Sequence, residues 1–313
     1  MAKKTVKKTS PKVPSLENRK GLSHAVRPTR RIAGLLGFLA KVEVDAIFDQ
    51  LPFTPVDRSA DPLKLWQQSV RGRAALPRLE DRSSQVETLP DELARDVDTI
   101  KKRRTFQRFY ERVADYHFGM APAEALLSPQ WYADLDYVEE LASRLEDRMD
   151  DASLLHFAMA DGSITEPIIR NNQVVFSSRR LDLNANPIPD IRDVGDGEFE
   201  IVVRASSRPN YLQVAVLDDR LVLVNGVHKV LALFRHGYTK VPCVWRHVHN
   251  LAETGLNLQT TLFADQTFKT PRPALVLDLL NDKVAVPLLS RSMYQVMRLT
   301  ISMDSFQVPV VEG

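Results

Sequence analysis

The sequence contains little that could cross-link the chain or anchor it in a membrane. Cys243 is the only cysteine among 313 residues, so no internal disulfide can form, as is typical of proteins in reducing compartments. No run approaches the roughly 20 apolar residues of a membrane-spanning helix. The lysines near the N-terminus are not followed by the apolar stretch of a secretory signal. These absences predict a cytoplasmic protein without a membrane partner.

The sequence also lacks the short motifs that identify many enzymes. It contains no Walker A sequence, dinucleotide-binding glycine pattern, His-Glu-x-x-His motif or Gly-x-Ser-x-Gly motif. The catalytic residues are therefore unknown from the sequence, and whether the protein is an enzyme stays open at this stage.

Charge is distributed unevenly along the chain. Residues 1–31 hold ten basic residues and a single acidic one, whereas the remainder holds 32 basic and 39 acidic residues, a net charge of −7. Residues 1–28 have almost no large apolar side chains, so their composition predicts a disordered basic arm. The arm is either a solubilising tail or a contact for nucleic acid or an acidic protein partner. The predicted contacts are Lys3, Lys4, Lys7, Lys8, Arg30 and Arg31.

Hydrophobic periodicity predicts a helical region over residues 29–150. Helices are expected over 29–51, after Asp61 and Pro62, and over 97–118, 122–128 and 132–148. The helix over 97–118 begins with a basic run and carries an apolar stripe, so it is either a solvated face beside the core or a nucleic-acid contact. The stripe comprises Ile100, Phe106, Phe109, Tyr110, Val113 and Tyr116.

The residues after 150 predict a different kind of structure. Short β-prone segments alternate with turn residues, which gives an α+β chain whose helical N-terminal half is followed by a mixed α/β domain over 151–313 with a C-terminal extension. Strands are expected over 211–217 and 220–224, a helix over 227–236 and a strand over 241–245. Gly237 is expected to end the helix.

Residues 198–250 resemble a domain of the ParB/sulfiredoxin superfamily. In that superfamily a strand ends in a glycine-containing turn, which opens a helix that is followed by a Val-Pro strand. The residues that match here are Asn225, Gly226, His228, Lys229, Ala232, Gly237, Val241 and Pro242. The turn holds nucleotide phosphates in relatives, so the resemblance implies that Gly226, His228 and Lys229 bind phosphate. It also implies a nucleotide such as CTP or ATP, with Mg²⁺, as the ligand.

The residues of this turn support an anion site on physical grounds as well. Gly226 permits close approach of a ligand to the backbone, and the following helix directs unpaired N–H groups outward from its first turn. Asn225-Gly226 is equally a good structural turn, so both interpretations stay open. Val227 replaces the catalytic Cys of sulfiredoxin and the Glu of ParB-type CTPases, which predicts binding without strong catalysis.

Three functions follow from these observations. The leading prediction is a ParB-like nucleotide- or phosphate-binding protein in a nucleic-acid-associated process. The alternatives are a non-enzymatic structural or assembly protein, which could oligomerise, and a Mg²⁺-dependent nuclease or kinase that uses Asp190, Asp193 and Asp196. Cys243, His247 and His249 alternate along one predicted strand, but a buried apolar role for Cys243 is favoured over a zinc site, and no metal is predicted.

Overall fold

The architecture is taken from a computed structural model of the chain. The structure describes residues 29–79, 85–110, 113, 115–160, 167–170, 173–178, 184–185, 189–206, 209–254, 256, 263, 265–291, 295–300 and 302. The predicted basic arm, including Lys3, Lys4, Lys7 and Lys8, lies outside the described residues.

Helices and strands both occur on either side of residue 150. The helices are α1 (Lys41–Gln50), α2 (Pro62–Ala74), α3 (Ala94–Lys101), α4 (Arg104–Tyr110), α5 (Leu135–Ala142), α6 (Asp151–Ala158), α7 (Val227–Arg235) and α8 (Asp265–Phe268). Short 3-10 helices span Leu36–Phe38, Asp91–Leu93, Ala123–Ala125, Leu251–Thr254 and Val276–Leu280.

The strands belong to two larger and three smaller sheets. They are β1 (Thr29–Gly34), β2 (Phe53–Pro55), β3 (Glu87–Thr88), β4 (His117–Pro122), β5 (Leu126–Leu127), β6 (Tyr132–Asp134), β7 (Ile168–Arg170), β8 (Gln173–Ser178), β9 (Asn184–Ala185), β10 (Asp190–Gly195), β11 (Glu198–Val202), β12 (Ala205–Ser206), β13 (Gln213–Leu217), β14 (Arg220–Asn225), β15 (Lys240–His247), β16 (Val286–Arg291) and β17 (Gln295–Thr300).

A six-stranded sheet in the order β3-β4-β15-β13-β14-β5 forms the centre of the described structure. β13 runs parallel to β15 and antiparallel to β14, with which it forms a hairpin. Asp218 and Asp219 join the hairpin with positive φ angles of 48° and 59°, as a two-residue type I′ turn requires. The predicted order of strand, strand, helix and strand over residues 211–245 is therefore confirmed.

The prediction of a helical N-terminal half was wrong. β1 is a strand between β16 and β6, in a four-stranded sheet of order β2-β16-β1-β6. The predicted helix over 97–118 is divided into α3 and α4 and gives way to β4, and residues 132–134 form β6. Helix α2 follows Asp61 as expected, since the carboxylate of Asp61 accepts a hydrogen bond from the N–H of Leu63 at 2.9 Å.

The boundary predicted at residue 150 does not separate two folding units. Both larger sheets combine strands from the two sides of that residue, because β1 pairs with β16 and β4 pairs with β15. The buried core is likewise continuous, and it includes Ile32, Leu126, Val222 and Leu288. The chain is α+β, with helices and strands in both halves.

Two small β structures lie outside this core. β10 and β11 form a two-stranded ribbon, and β17, β8 and β7 form a three-stranded sheet. Residues 167–170, 173–177, 189–206, 296–300 and 302 are exposed or partly exposed wherever their burial is described, and none of them is buried. On one face of the ribbon, Ile191 is paired with Ile201 in register, and their exposures are 69% and 68%. The ribbon therefore presents an apolar face to solvent in the isolated chain.

Candidate functional site

The turn that was predicted to bind phosphate is packed against the hairpin. Gly226 has a φ angle of 107°, which L-residues rarely adopt, and it precedes the first turn of α7. A Cβ atom on Gly226 would lie 3.1 Å from Cγ and 3.2 Å from Cα of Leu212. Gly226 and Val227 are both buried. The glycine thus fits a tight bend against Leu212, which accounts for its presence without a ligand.

Lys229 is directed into the protein. Its side chain is buried at 2% exposure, and its ammonium group donates to the carbonyl oxygens of Ala158, at 3.0 Å, and Asn210. The ammonium also lies 5.7 Å from the centre of the Phe157 ring. Because these contacts join α7 to the end of α6 and to the segment that precedes β13, Lys229 acts as a structural clamp in this structure.

His228 and Asn225 are also engaged in contacts within the fold. The Nε2 atom of His228 accepts a hydrogen bond from the N–H of Asp134 at 3.0 Å, so the ring proton of neutral His228 is on Nδ1. Its ring packs edge-on against Tyr137 at 5.2 Å. The Nδ2 atom of Asn225 donates to the carbonyl of Pro209 at 3.2 Å. The four predicted phosphate ligands therefore do not converge on a common opening.

Arg30 and Arg31, predicted as nucleic-acid contacts, form ion pairs with the acidic start of α5. Arg30 pairs with Asp134, and its Nη2 lies 3.2 Å from the carboxylate of Glu140. Nε of Arg31 donates to Asp136 at 2.8 Å, and Nη2 donates to Glu139. These pairs fasten β1 to α5, and they give partners to the acidic residues at and after the start of α5.

Burial and ion pairing oppose each other at Asp136. Burial alone would raise the pKa of this carboxyl group, which is 6% exposed, but hydrogen bonds from the backbone and side chain of Arg31 hold the pKa below its usual range. Asp136 is therefore ionised in the folded protein at neutral pH and depends on Arg31 for its charge balance.

A cleft of about 220 Å³ opens elsewhere on the six-stranded sheet. One wall comes from α4 and the residues that follow it: Phe109, Tyr110, Val113 and Tyr116. The rings of Tyr110 and Tyr116 are centred 4.9 Å apart, and those of Phe109 and Tyr110 are 5.0 Å apart. Phe109 is 39% exposed. The wall is therefore a set of adjoining aromatic rings that solvent can reach at one side.

The opposite wall of the cleft is the face of the sheet that α4 covers. Gln213 is paired with Val244, and Ala215 with Arg246, so these side chains project from the same face of β13 and β15. Val244 is in turn paired with Phe118, on which the Phe106 ring of α4 stacks at 5.6 Å. A β-bulge between Gln213 and Val214, opposite Val224, interrupts the ladder beside the cleft. Such bulges commonly redirect side chains next to binding sites.

Gln213 contributes an unsatisfied polar group to this apolar cleft. Its amide nitrogen is buried and has no hydrogen-bond partner in the structure. Leaving a buried donor without an acceptor typically costs about 1–3 kcal/mol. Packing and stability alone do not account for the missing hydrogen-bond partner of this nitrogen.

The 3-10 helix over residues 251–254 contributes Glu253 and Thr254 to the lining of the cleft. Arg246 donates to the carbonyl of Glu253, which connects the end of β15 to this helix. The Glu253 carboxylate accepts hydrogen bonds from the N–H of His249 at 3.1 Å and from Nδ2 of Asn250 at 2.8 Å. The carboxylate is therefore used to hold the loop, while Arg246 adds a positively charged side chain to the lining of the cleft.

Tyr110 is a poor candidate for acid–base chemistry. Burial, with a smaller contribution from Tyr211, raises the pKa of its phenol well above the ordinary value of 10.0. The phenol stays protonated across the physiological range, so it cannot act there as a base. The aromatic wall, one amide and one guanidinium suit the binding of a planar ligand rather than its conversion.

The sequence contained part of the signal for this cleft. Phe109, Tyr110, Val113 and Tyr116 were assigned to a single helical stripe, but only the first two belong to α4. Gln213 gave no signal because it is an ordinary polar residue at the start of a strand. Its isolation depends on its neighbours in the sheet, Asn225 and Val244, which belong to other strands.

The acidic residues of the nuclease or kinase alternative, Asp190, Asp193 and Asp196, lie on the ribbon of β10 and β11, whereas Cys243 belongs to β15. Asp190 pairs with Arg204 at 2.6 Å, and the carboxylate of Asp193 accepts from the N–H of Gly195 at 2.9 Å. Cys243 is fully buried, and burial raises the pKa of its thiol well above 9.0. No group of three or more metal-ligating side chains occurs within the described ranges.

The described helices give no indication of a membrane-spanning segment, since none of them is long and apolar enough to cross a bilayer. Comparison with known proteins yields no relationship on which to base a function. No protein-family model matches the chain, and no curated protein or solved structure is detectably similar to it.

Proposed function

We propose that this protein binds a nucleotide through the aromatic cleft and acts in a nucleic-acid-associated process without strong catalysis. The observation that carries the proposal is the cleft itself, whose lining combines the rings of Phe109, Tyr110 and Tyr116 with Arg246. Stacking of a base on an aromatic side chain contributes roughly 1–3 kcal/mol. The ring system of the ligand occupies the cleft, and its charged part lies outside, near Arg246.

The size of the cleft supports a ligand of this kind. Its volume of about 220 Å³ is below the roughly 300–1,000 Å³ of most sites for drug-sized ligands. A single planar ring system fits such a space, whereas a dinucleotide does not. The strand–turn–helix–strand order of β14, α7 and β15 supports the proposed relationship to the ParB/sulfiredoxin superfamily, but the base is assigned to a different position from the Gly226 turn.

Titration calorimetry with CTP, ATP and ADP, in the presence and absence of Mg²⁺, tests the proposal. Phe109→Ala removes an exposed ring of the cleft, and we expect it to weaken binding roughly 5- to 100-fold, as loss of one stacking interaction predicts. Phe199→Ala is the matched control, because Phe199 is also exposed but lies on the ribbon. Equal affinities for the two variants, or no binding by the wild type, would reject the nucleotide proposal.

The nucleic-acid part of the proposal rests on the basic residues of the N-terminal segment. Arg30 and Arg31 are paired with carboxylates, so Lys3, Lys4, Lys7 and Lys8 are the better candidates for phosphate contacts. Replacing these four lysines by alanine should weaken DNA or RNA binding, and the salt dependence should decrease by about 0.9 in the logarithmic slope for each lost phosphate contact. An unchanged slope would indicate that the basic N-terminal segment is a solubilising tail that does not contact phosphates.

The exposed apolar ribbon favours a second candidate function, that of an assembly protein. Ile191, Phe199 and Ile201 are each at least 65% exposed, and their register places them on one face. Burial of such a face against a second copy of the chain would remove it from water. Light scattering tests this: Ile201→Lys should convert a dimer to a monomer, and a monomeric wild type would contradict the idea.

A further inference from the structure

Arg246 is a charged residue in the lining of the cleft that the fold engages only in part. Its Nη2 donates to the carbonyl oxygen of Glu253, and within the described ranges no carboxylate forms an ion pair with it. A guanidinium presents several further N–H donors. The side chain is partly exposed, and its other nitrogens, unlike the amide nitrogen of Gln213, are not buried. They are therefore open to a ligand in the cleft.

Two interactions locate the guanidinium beside the aromatic wall. Glu253, whose carbonyl accepts its hydrogen bond, lines the cleft itself. Tyr110 belongs to the facing wall: burial raises the pKa of its phenol, and the positive charge of Arg246 opposes that rise, as a nearby charge does. The charge of Arg246 therefore lies between the aromatic rings and the 3-10 helix over residues 251–254.

Glu253, the other charged residue among the described lining residues, leaves this charge in place. Its carboxylate accepts hydrogen bonds from the N–H of His249 at 3.1 Å and from Nδ2 of Asn250 at 2.8 Å. The carboxylate thus holds its own loop, and only the carbonyl group of the residue contacts Arg246. The cleft therefore offers one guanidinium, without a carboxylate partner among the described residues, next to stacked rings.

We infer that Arg246 is the specificity-determining residue of the cleft and that its guanidinium binds the phosphate nearest to the ring system, the α-phosphate of a nucleotide. Guanidinium and phosphate form charge-assisted hydrogen bonds, which are frequently bidentate. Only one ribose separates the α-phosphate from the base, whereas the β- and γ-phosphates extend further from the rings. This inference rests on the proposed function, and it makes a nucleoside monophosphate the smallest ligand that is fully recognised.

Two series of ligands test this assignment by calorimetry: adenosine, AMP and ATP, and cytidine, CMP and CTP. Mg²⁺ is left out, because it would itself bind the phosphates. In the series that binds more tightly, the monophosphate should bind at least about tenfold better than the nucleoside, as a hydrogen bond between charged groups predicts. The triphosphate should bind within about threefold of the monophosphate, because water and salt screen its more distant charges.

Substitution of Arg246 should abolish the preference for the monophosphate. In Arg246→Met the nucleoside and the monophosphate should bind within about twofold of each other. Arg246→Lys keeps the charge without the planar fork, so it should retain part of the preference. Arg71→Met is the matched control, because Arg71 is exposed on α2 and also donates to a backbone carbonyl, that of Gln67 at 3.4 Å. It should keep the wild-type preference.

Asn250→Ala separates the loss of charge from a loosened loop. It removes a hydrogen bond that holds Glu253 but leaves Arg246 in place, so the preference for the monophosphate should persist. A folded Arg246→Met protein with the wild-type preference, or an Asn250→Ala protein that lacks it, would overturn the role of Arg246 but leave nucleotide binding intact. Equal wild-type affinities for nucleoside and monophosphate would do the same. Failure of the wild type to bind any member of either series would overturn both the inference and the proposed function.

Discussion

The Gly226 turn and the aromatic cleft lie close together along β13 and β14, but they differ in whether their polar groups have hydrogen-bond partners within the protein. At the turn, Lys229, His228 and Asn225 each have a hydrogen-bond partner within the protein. In the cleft, the buried amide nitrogen of Gln213 has none. The polar groups of the turn are therefore explained by stability within the fold, whereas the largely apolar cleft is open to a ligand.

The strongest test of this contrast is the removal of the clamp at Lys229. In Lys229→Met the carbonyls of Ala158 and Asn210 lose a charged donor in a buried site. We expect the free energy of unfolding to fall by about 2–4 kcal/mol, measured by urea denaturation. Lys64→Met, at an exposed position on α2, should change stability little.

Nucleotide affinity separates the two roles of Lys229. If Lys229 is structural, the folded fraction of Lys229→Met should bind a nucleotide with nearly the wild-type affinity. A stable Lys229→Met protein that no longer binds a nucleotide would indicate that Lys229 contacts phosphate. The turn and the cleft would then not differ in the way described above.

Alanine substitution at two glycines measures how tightly the turn is packed. Gly226 and Gly237 both have positive φ angles, of 107° and 88°, but only Gly226 has atoms within 4 Å of an added Cβ. Gly237→Ala should therefore cost about 1 kcal/mol for backbone strain, and Gly226→Ala roughly 1 kcal/mol more for the contact with Leu212. Equal losses of unfolding free energy would indicate that the bend is looser than the structure shows.

Alkaline unfolding examines the apolar character of the cleft wall. The pKa of Tyr110 is raised by burial, so above about pH 10 the unfolded chain releases this proton while the folded chain retains it. The contribution of Tyr110 to the free energy of unfolding is therefore complete below about pH 10. Above that pH it decreases, by up to about 1.4 kcal/mol per pH unit. Tyr110→Phe should reduce the slope of unfolding free energy against pH; identical slopes would mean that the phenol is hydrated.

The smallest effect is expected at Arg31. Its side chain is half exposed, but its partner Asp136 is buried, so Arg31→Met should destabilise the protein by about 1 kcal/mol. Nucleic-acid affinity should stay unchanged, because the guanidinium is already paired with carboxylates. A clear loss of DNA or RNA binding in a gel-shift titration would restore Arg31 as a contact.

The parts of the fold that the sequence predicted correctly depend on local signals. The strand pair over 211–224 was marked by alternating apolar residues and by Asp218-Asp219, and the end of α7 was marked by Gly237. The structure has β13, β14 and α7 close to the predicted positions.

The errors arose where distant pairing decided the structure. Ile32 begins an apolar pattern that also fits a helix, but residues 29–34 pair with residues 286–291, and hydrophobic periodicity cannot reveal such a distant partner. The cleft could be predicted only in part, for the same reason. Its aromatic residues form a recognisable stripe, whereas the isolation of Gln213 results from β15, β14 and a bulge that no local pattern specifies.

The contacts of Lys229 hold together two positions of the chain, near residues 158 and 210, that are about fifty residues apart. One ammonium group bonds to the carbonyls of Ala158 and Asn210, and the N–H of Leu212 bonds to Ala158 as well. The chain thus leaves and re-enters the central body at nearly the same point, and the described residues between these positions form β7 to β12, outside the two larger sheets. Closing an excursion of this kind with a few residues costs little conformational entropy. The ribbon could therefore be excised, lengthened or exchanged between proteins while the central sheet and its cleft remain intact.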